Sequence, residues 1–136
     1  MDLRDILYIP GKPGLYRALS QVKSATIVES LTDKTKFPIY ASSKAVHLEA
    51  IIMHTMPPQT ETYLSVIMDS IYKKESGGPC IDPESDEEKL WKYFGEILPD
   101  YNKEKVYIRD VRKLFLWYNY FQGLGLLKKD ETDNEK

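Results

Sequence analysis

The pattern of apolar and polar positions changes character near Pro57. Ahead of it, short apolar runs at residues 15–20, 25–31, 36–41 and 49–55 are separated by Gly, Pro, Ser and Asp. Runs of that length, rich in β-branched and aromatic residues, predict strands. Tight turns are expected at 21–24 and 32–35. Pro38 has no N–H to give to a ladder, so its strand is expected at an edge or at a bulge. Strict alternation is weak in the first three runs, as in strongly bent strands of a small barrel. Leu3, Ile6 and Leu7 predict one helical turn at the start. Residues 45–48 read as a short helical turn or a linker. The stretch Ile9-Pro10-Gly11-Lys12-Pro13-Gly14 excludes helix, because each Pro fixes φ and each Gly permits positive φ. It predicts a stiff lead into the first strand. Pro57-Pro58 is expected to close the β part.

Beyond Thr62 the period becomes helical. Leu64, Ile67, Met68 and Ile71 fall on one face. Lys73 and Lys74 suit the last turn of that helix, and Gly77-Gly78-Pro79 stops it. Ser85 with Glu88 three residues on predicts a capping box, followed by Leu90, Trp91, Phe94, Ile97 and Leu98. A third helix is expected from Arg109-Asp110 to about Gln122. Its apolar arc of Val111, Leu114, Phe115, Trp117, Tyr118 and Phe121 is wide enough to make it the centre of the helical part or a subunit contact. The fold class predicted is α+β: a small antiparallel β-barrel or sheet over 1–56, a helical domain over 57–127, and a disordered polar tail over 128–136.

Composition narrows the function classes. The 136 residues are 42% hydrophobic and 29% charged, so the chain is globular. The net charge of -2 argues against a dedicated nucleic-acid binder. Residues 1–56 carry seven basic against five acidic side chains, and the remainder is acidic. No apolar run approaches the roughly 20 residues of a membrane span, so no membrane partner is expected. The charged start, Met1-Asp2-Leu3-Arg4-Asp5, has no apolar signal region, and cytoplasmic localisation is expected.

Candidate chemistry is sparse. Cys80 is the single cysteine, which excludes an intrachain disulfide and a cysteine-based zinc site. His47 and His54 have no metal-ligand spacing, and surface or edge histidines are the expectation. An enzyme using Cys80 or a histidine is the remotest reading, because a nucleophile needs a base and an orienting group. Gly11-Lys12-Pro13-Gly14 lacks the spacing of a phosphate loop, and Pro13 removes a donor. Asp82, Glu84, Asp86, Glu87 and Glu88 lack the Gly of a calcium loop and read as helix capping. Neither a cofactor nor a metal is predicted. The residues that remain are Lys12, Tyr16, Phe37 and Tyr40 on the β part, with Tyr8 near them, and Arg109, Arg112 and Lys113 on the third helix. Aromatics on a small barrel bind Pro-rich peptides or stack bases, or they form a packing seam.

Several of these stretches carry a family resemblance. Met1-Asp2-Leu3, Ile9 through Tyr16, Ile27-Val28-Glu29-Ser30-Leu31, Leu48-Glu49, Phe94-Gly95-Glu96-Ile97-Leu98-Pro99-Asp100-Tyr101, Val106-Tyr107 and Trp117-Tyr118-Asn119 resemble a family of conserved hypothetical proteins from Bacteroidetes, grouped as domains of unknown function. The chain departs from that pattern at Tyr8, Pro10 and Arg109. The resemblance implies an SH3-like N-terminal part followed by a helical part, and it implies no activity. The functional expectation is therefore a non-catalytic protein-interaction or binding module with an unidentified protein partner. Nucleic-acid binding is the alternative. A homodimer through the third helix or a strand edge is a separate expectation.

Overall fold

The computed structural model describes residues 2–126 and divides the chain into two compact units, Asp2–Ile51 and a second from Ile52 onward. The expected tail at 128–136 lies outside the described residues.

The N-terminal unit is an antiparallel sheet of five strands: β1 (Ile6–Tyr8), β2 (Tyr16–Val22), β3 (Ala25–Ser30), β4 (Lys36–Tyr40) and β5 (Val46–His47). Their order is β4-β3-β2-β1-β5, so the sheet is open and β4 and β5 are its edges. Pro38 is thus on an edge strand, where its missing N–H costs no central ladder bond. The hairpin from β2 to β3 turns at Lys23, whose φ is 45°. The next turn is built by side chains. Ser30 Oγ accepts from the N–H of Thr32, and Asp33 Oδ1 accepts from the N–H and hydroxyl of Thr35. Alternation along β2 is broken by a bulge at Leu19, between Ala18 opposite Val28 and Ser20 opposite Ile27.

The expected helical turn at the start is a strand instead. Ile6 and Leu7 are both buried although they face opposite sides of the sheet. A strand covered on both faces loses its alternation and mimics a helical spacing over so few residues. One sheet face carries the core cluster Leu7, Ile9, Tyr16, Val28 and Ile39, with Ala18, Phe37 and Ala45 packed against it. The Gly/Pro stretch connects β1 to β2 as a constrained turn: Gly11 and Gly14 have φ of 87° and 77°, and the Tyr16 hydroxyl donates to the Pro13 carbonyl at 2.8 Å.

The second unit opens with a hairpin, β6 (Ile52–His54) and β7 (Glu61–Tyr63), followed by α1 (Leu64–Glu75), α2 (Glu87–Ile97) and α3 (Ile108–Gly123). Pro57-Pro58 therefore does not end the β part; it lies in the loop of this hairpin, and the unit begins before the expected boundary at 56. Leu48–Ala50, expected inside or beside a strand, forms a single 3-10 turn. The segment after α2 extends the hairpin: Thr55 bridges to Tyr101, Asn102 N–H donates to the His54 carbonyl, and Met56 N–H donates to the Asp100 carbonyl. The buried faces of α1 and α2 are those their periodicity predicts, save that Trp91 is only partly buried. The capping box is not formed. Asp86 holds the cap position of α2 without a side-chain cap bond, and the Ser85 carbonyl accepts from Arg112 instead. The helix α3 buries Val111, Leu114, Phe115, Trp117, Tyr118 and Phe121 and packs on both α1 and α2.

The core cluster sets a stability expectation. Val28 is 0% exposed, and Val28→Ala is expected to cost about 2 kcal/mol in urea denaturation. Tyr40→Ala, at a residue 54% exposed, is expected to cost about 0.5 kcal/mol or less.

Candidate binding groove

A groove of about 580 Å³ opens at one end of the N-terminal sheet. Every strand contributes to it: Leu7 from β1, Ala18 and Gln21 from β2, Thr26 from β3, Ile39 and Tyr40 from β4, and His47 from β5. The chain that links the two edge strands, from Ala41 to Ala45, forms one wall. This construction follows from the open sheet. The strands pack on the core cluster, β4 and β5 stay unjoined as the edges of the sheet, and residues of the link between them line the groove.

Floor and walls differ in chemistry. Leu7, Ala18, Ile39 and Ala45 are apolar and continue the core cluster. Ser20, Ser24, Thr26 and Gln21 supply polar groups, of which the Thr26 hydroxyl already donates to Gln21 Oε1 at 2.8 Å. The hydroxyl of Ser43 is fully enclosed and has no hydrogen-bond partner among the described residues. A buried hydroxyl without a partner costs roughly 1–3 kcal/mol, so Ser43 is a point of local instability in the link. Lys44 follows in the left-handed region, with φ of 56°. Asp5 lies on the opposite side of the charge balance, and the Arg4 guanidinium next to it is itself paired with Asp2 at 2.8 Å.

The residues singled out by sequence are distributed over three places. Lys12, Tyr16 and Phe37 come together: the rings of Tyr16 and Phe37 meet edge to face at 5.5 Å, and Lys12 Nζ lies 5.0 Å above the Phe37 ring. Tyr16 is buried, so this group is mostly a packing seam with a cation on its rim. Tyr40 is not part of it and stands on the groove. Arg109, Arg112 and Lys113 are on α3 of the other unit. Arg112 is spent on structure, its Nη1 donating to the carbonyls of Pro83 at 2.7 Å and Ser85 at 3.3 Å. Arg109 lies 5.1 Å from the Tyr107 ring and 3.9 Å from the Asp110 carboxylate. Ser43, Lys44 and His47 were not singled out as groove residues. Their signal was the polar break Ser42-Ser43-Lys44 between two apolar runs.

The loop between α1 and α2 is held by α3. Tyr118 donates to the Gly78 carbonyl at 2.9 Å. Asn119 accepts from the Cys80 N–H at 2.8 Å and donates to the carbonyls of Cys80 and Ile81. The Cys80 thiol points at the Phe115 carbonyl, 3.7 Å away, and burial pushes it up to about 12. A thiol held protonated in this way is a poor nucleophile. Burial also raises Tyr118, to about 12, and raises Tyr93, whose hydroxyl donates to Glu75.

Comparison with known proteins gives two family matches. Residues 51–121 match a Domain of unknown function (DUF6852), and residues 3–48 match a Domain of unknown function (DUF5606). The solution NMR structure of a structural-genomics target from Bacteroides vulgatus is 36% identical, covering 93% of this chain and 90% of that chain with a TM-score of 0.76. No curated protein matches. Among the described residues no helix is long and apolar enough to cross a membrane.

The raised groups fix the alkaline behaviour. Each stays neutral in the fold to a higher pH than in the unfolded chain, so unfolding favours ionisation. Stability is expected to be full below the free thiol value of 9.0 and to fall as pH rises toward 12. Denaturation midpoints followed by Trp fluorescence should decline over that window, and Cys80→Ala should delay the decline toward 10.0, where a free tyrosine ionises.

Proposed function

The chain belongs to the family defined by DUF6852, with DUF5606 ahead of it, and from that premise we propose that it is a non-catalytic binding module for a protein partner. The observation that carries this reading is the groove on the N-terminal sheet, with its apolar floor of Leu7, Ala18, Ile39 and Ala45 and the exposed Tyr40 beside it. Its volume is in the range of ligand sites, and its apolar floor with a few convergent polar groups is their usual chemistry. Five short antiparallel strands packed on one cluster support a likeness to small SH3-like β-modules, which bind peptides in surface grooves.

A catalytic role for Cys80 is disfavoured by its surroundings. Its thiol is held protonated, and the groups hydrogen-bonded to it and its backbone are Asn119 and main-chain carbonyls. Nucleic-acid binding loses one of its three cations on α3, since Arg112 is committed to the carbonyls of Pro83 and Ser85. A single thiol with no disulfide to form fits a reducing compartment, and we place the module in the cytoplasm.

The test is affinity capture from native cells with the whole chain as bait, beside Ala18→Trp, which fills the groove floor. A reproducible protein partner that the wild type captures and the filled variant loses, with the two chains equally folded by circular dichroism, is the expected outcome. Capture of nothing reproducible, or equal capture by both, would overturn the reading.

A further inference from the structure

We infer that residues 79–85, in the link from α1 to α2, form a strap that opens as one body while the three helices stay packed, and that Arg112 and Asn119 of α3 are its clasp. This device is separate from the groove and needs no partner. The first support is the route of the hydrogen bonds. Among the described residues, every hydrogen bond that leaves the strap ends on α3. Asn119 takes both sides of the Cys80 backbone: its Oδ1 accepts from the N–H at 2.8 Å, and its Nδ2 donates to the carbonyl at 3.4 Å. The same Nδ2 donates to the Ile81 carbonyl at 3.3 Å. Arg112 Nη1 donates to the carbonyls of Pro83 at 2.7 Å and Ser85 at 3.3 Å. The remaining bond is the long one from the Cys80 thiol to the Phe115 carbonyl.

The second support is what the strap does not bury. No residue of 79–85 is buried, whereas Leu90, Phe94, Val111, Leu114 and Phe115 on α2 and α3 are 0% exposed. Lifting the strap therefore breaks hydrogen bonds but withdraws no core side chain. The apolar packing of the helices is left in place. A segment held by a few polar contacts and little apolar burial opens at lower free energy than the whole fold.

The third support is a stiff middle between two pivots. Asp82 closes its own turn, its carbonyl accepting from the Ser85 N–H at 3.0 Å and its Oδ1 from the Glu84 N–H at 2.9 Å. Pro79 and Pro83 fix φ on either side of it. At the α1 end the backbone passes through Ser76 and Gly77 with φ of 53° and 85°. At the α2 end Asp86 has ψ of 145°, outside helical geometry, and makes no side-chain cap bond. A few residues at element ends are the positions that absorb such a motion. Cys80 is the reporter of the motion and not a site. Closed, its thiol is half-buried against α3; open, it meets solvent and reacts as an ordinary thiol.

Thiol labelling of the whole chain with dithiobis-nitrobenzoate tests this. The Cys80 thiolate attacks the disulfide of the reagent, a mixed disulfide forms, and one thionitrobenzoate leaves as the coloured thiolate. Labelling of the wild type is expected to be slower than in denaturing urea, yet flat across low urea, where global unfolding would make it climb. Asn119→Ala is expected to speed labelling roughly tenfold, and Arg112→Gln by a smaller factor. Ile67→Val, in the buried face of α1, is expected to lower the urea midpoint without speeding labelling in low urea. Labelling that climbs with urea from the start, equal acceleration by Ile67→Val, or a wild type that labels as fast as the unfolded chain would each overturn the inference. So would an unchanged rate in both clasp variants. Should either clasp variant fail to fold, the urea dependence of the wild type decides the matter alone.

Discussion

The C-terminal unit depends on a loop that satisfies only part of its own backbone. The chain between α1 and α2 passes through Gly78, Cys80, Ile81, Pro83 and Ser85 without forming a ladder or a helix, and the carbonyls or N–H groups of these residues need partners away from water. The helix α3 provides them with side chains: Tyr118 for Gly78, Asn119 for Cys80 and Ile81, Arg112 for Pro83 and Ser85. Three residues on one helix thereby replace what secondary structure would supply. The consequence is that α3 fixes where α2 begins. With the Ser85 carbonyl already bound by Arg112, the helix starts at Glu87, and the capping box written in the sequence is not used.

The N-terminal unit meets the same demand and leaves it partly open. Its sheet pairs four strand couples in antiparallel register and builds its turns from Ser30, Asp33 and Thr35. The two edges do not meet, and the link between them encloses one hydroxyl that nothing satisfies. Where α3 supplies side-chain partners to a neighbouring loop, the link through Ser43 closes its own turn with Lys44 N–H on the Ala41 carbonyl and leaves the Ser43 hydroxyl without a partner among the described residues.

Legibility in the sequence followed the range of the interactions involved. The helical faces of α1 and α3 were readable because a period of 3.6 is written locally, and the predicted residues Leu64, Ile67, Met68 and Ile71 are the buried ones. The strands β2, β3 and β4 were readable from β-branched runs between turn residues. The strand β1 was not, because Ile6 and Leu7 are covered on both faces. The hairpin of β6 and β7 is obscured by Pro57-Pro58, which marks its loop and reads in sequence as a boundary. The groove had no local signature at all. Leu7, Ala18, Thr26, Ile39, Ser43 and His47 come from every strand and one link, so only the pairing of strands brings them together. Arg112 shows the reverse error. A cation on a helix reads as available for a ligand, while the carbonyls that consume it belong to residues far away in sequence.

The bulge at Leu19 bears on how this protein can change over evolutionary time. Up to Ala18, even-numbered residues of β2 share the side of the sheet that carries Tyr16 and Val28; past the bulge, Gln21 opposite Thr26 takes over that side. The extra residue is thus a parity switch, converting a core-facing strand into a groove-lining one within a single element. A one-residue insertion or deletion between Tyr16 and the turn at Lys23 would undo it, turning Gln21 away from the side that carries Val28. Substitution can therefore tune this surface freely, but chain length there is fixed, and lineages that diversify what the groove accepts must do so without indels in β2.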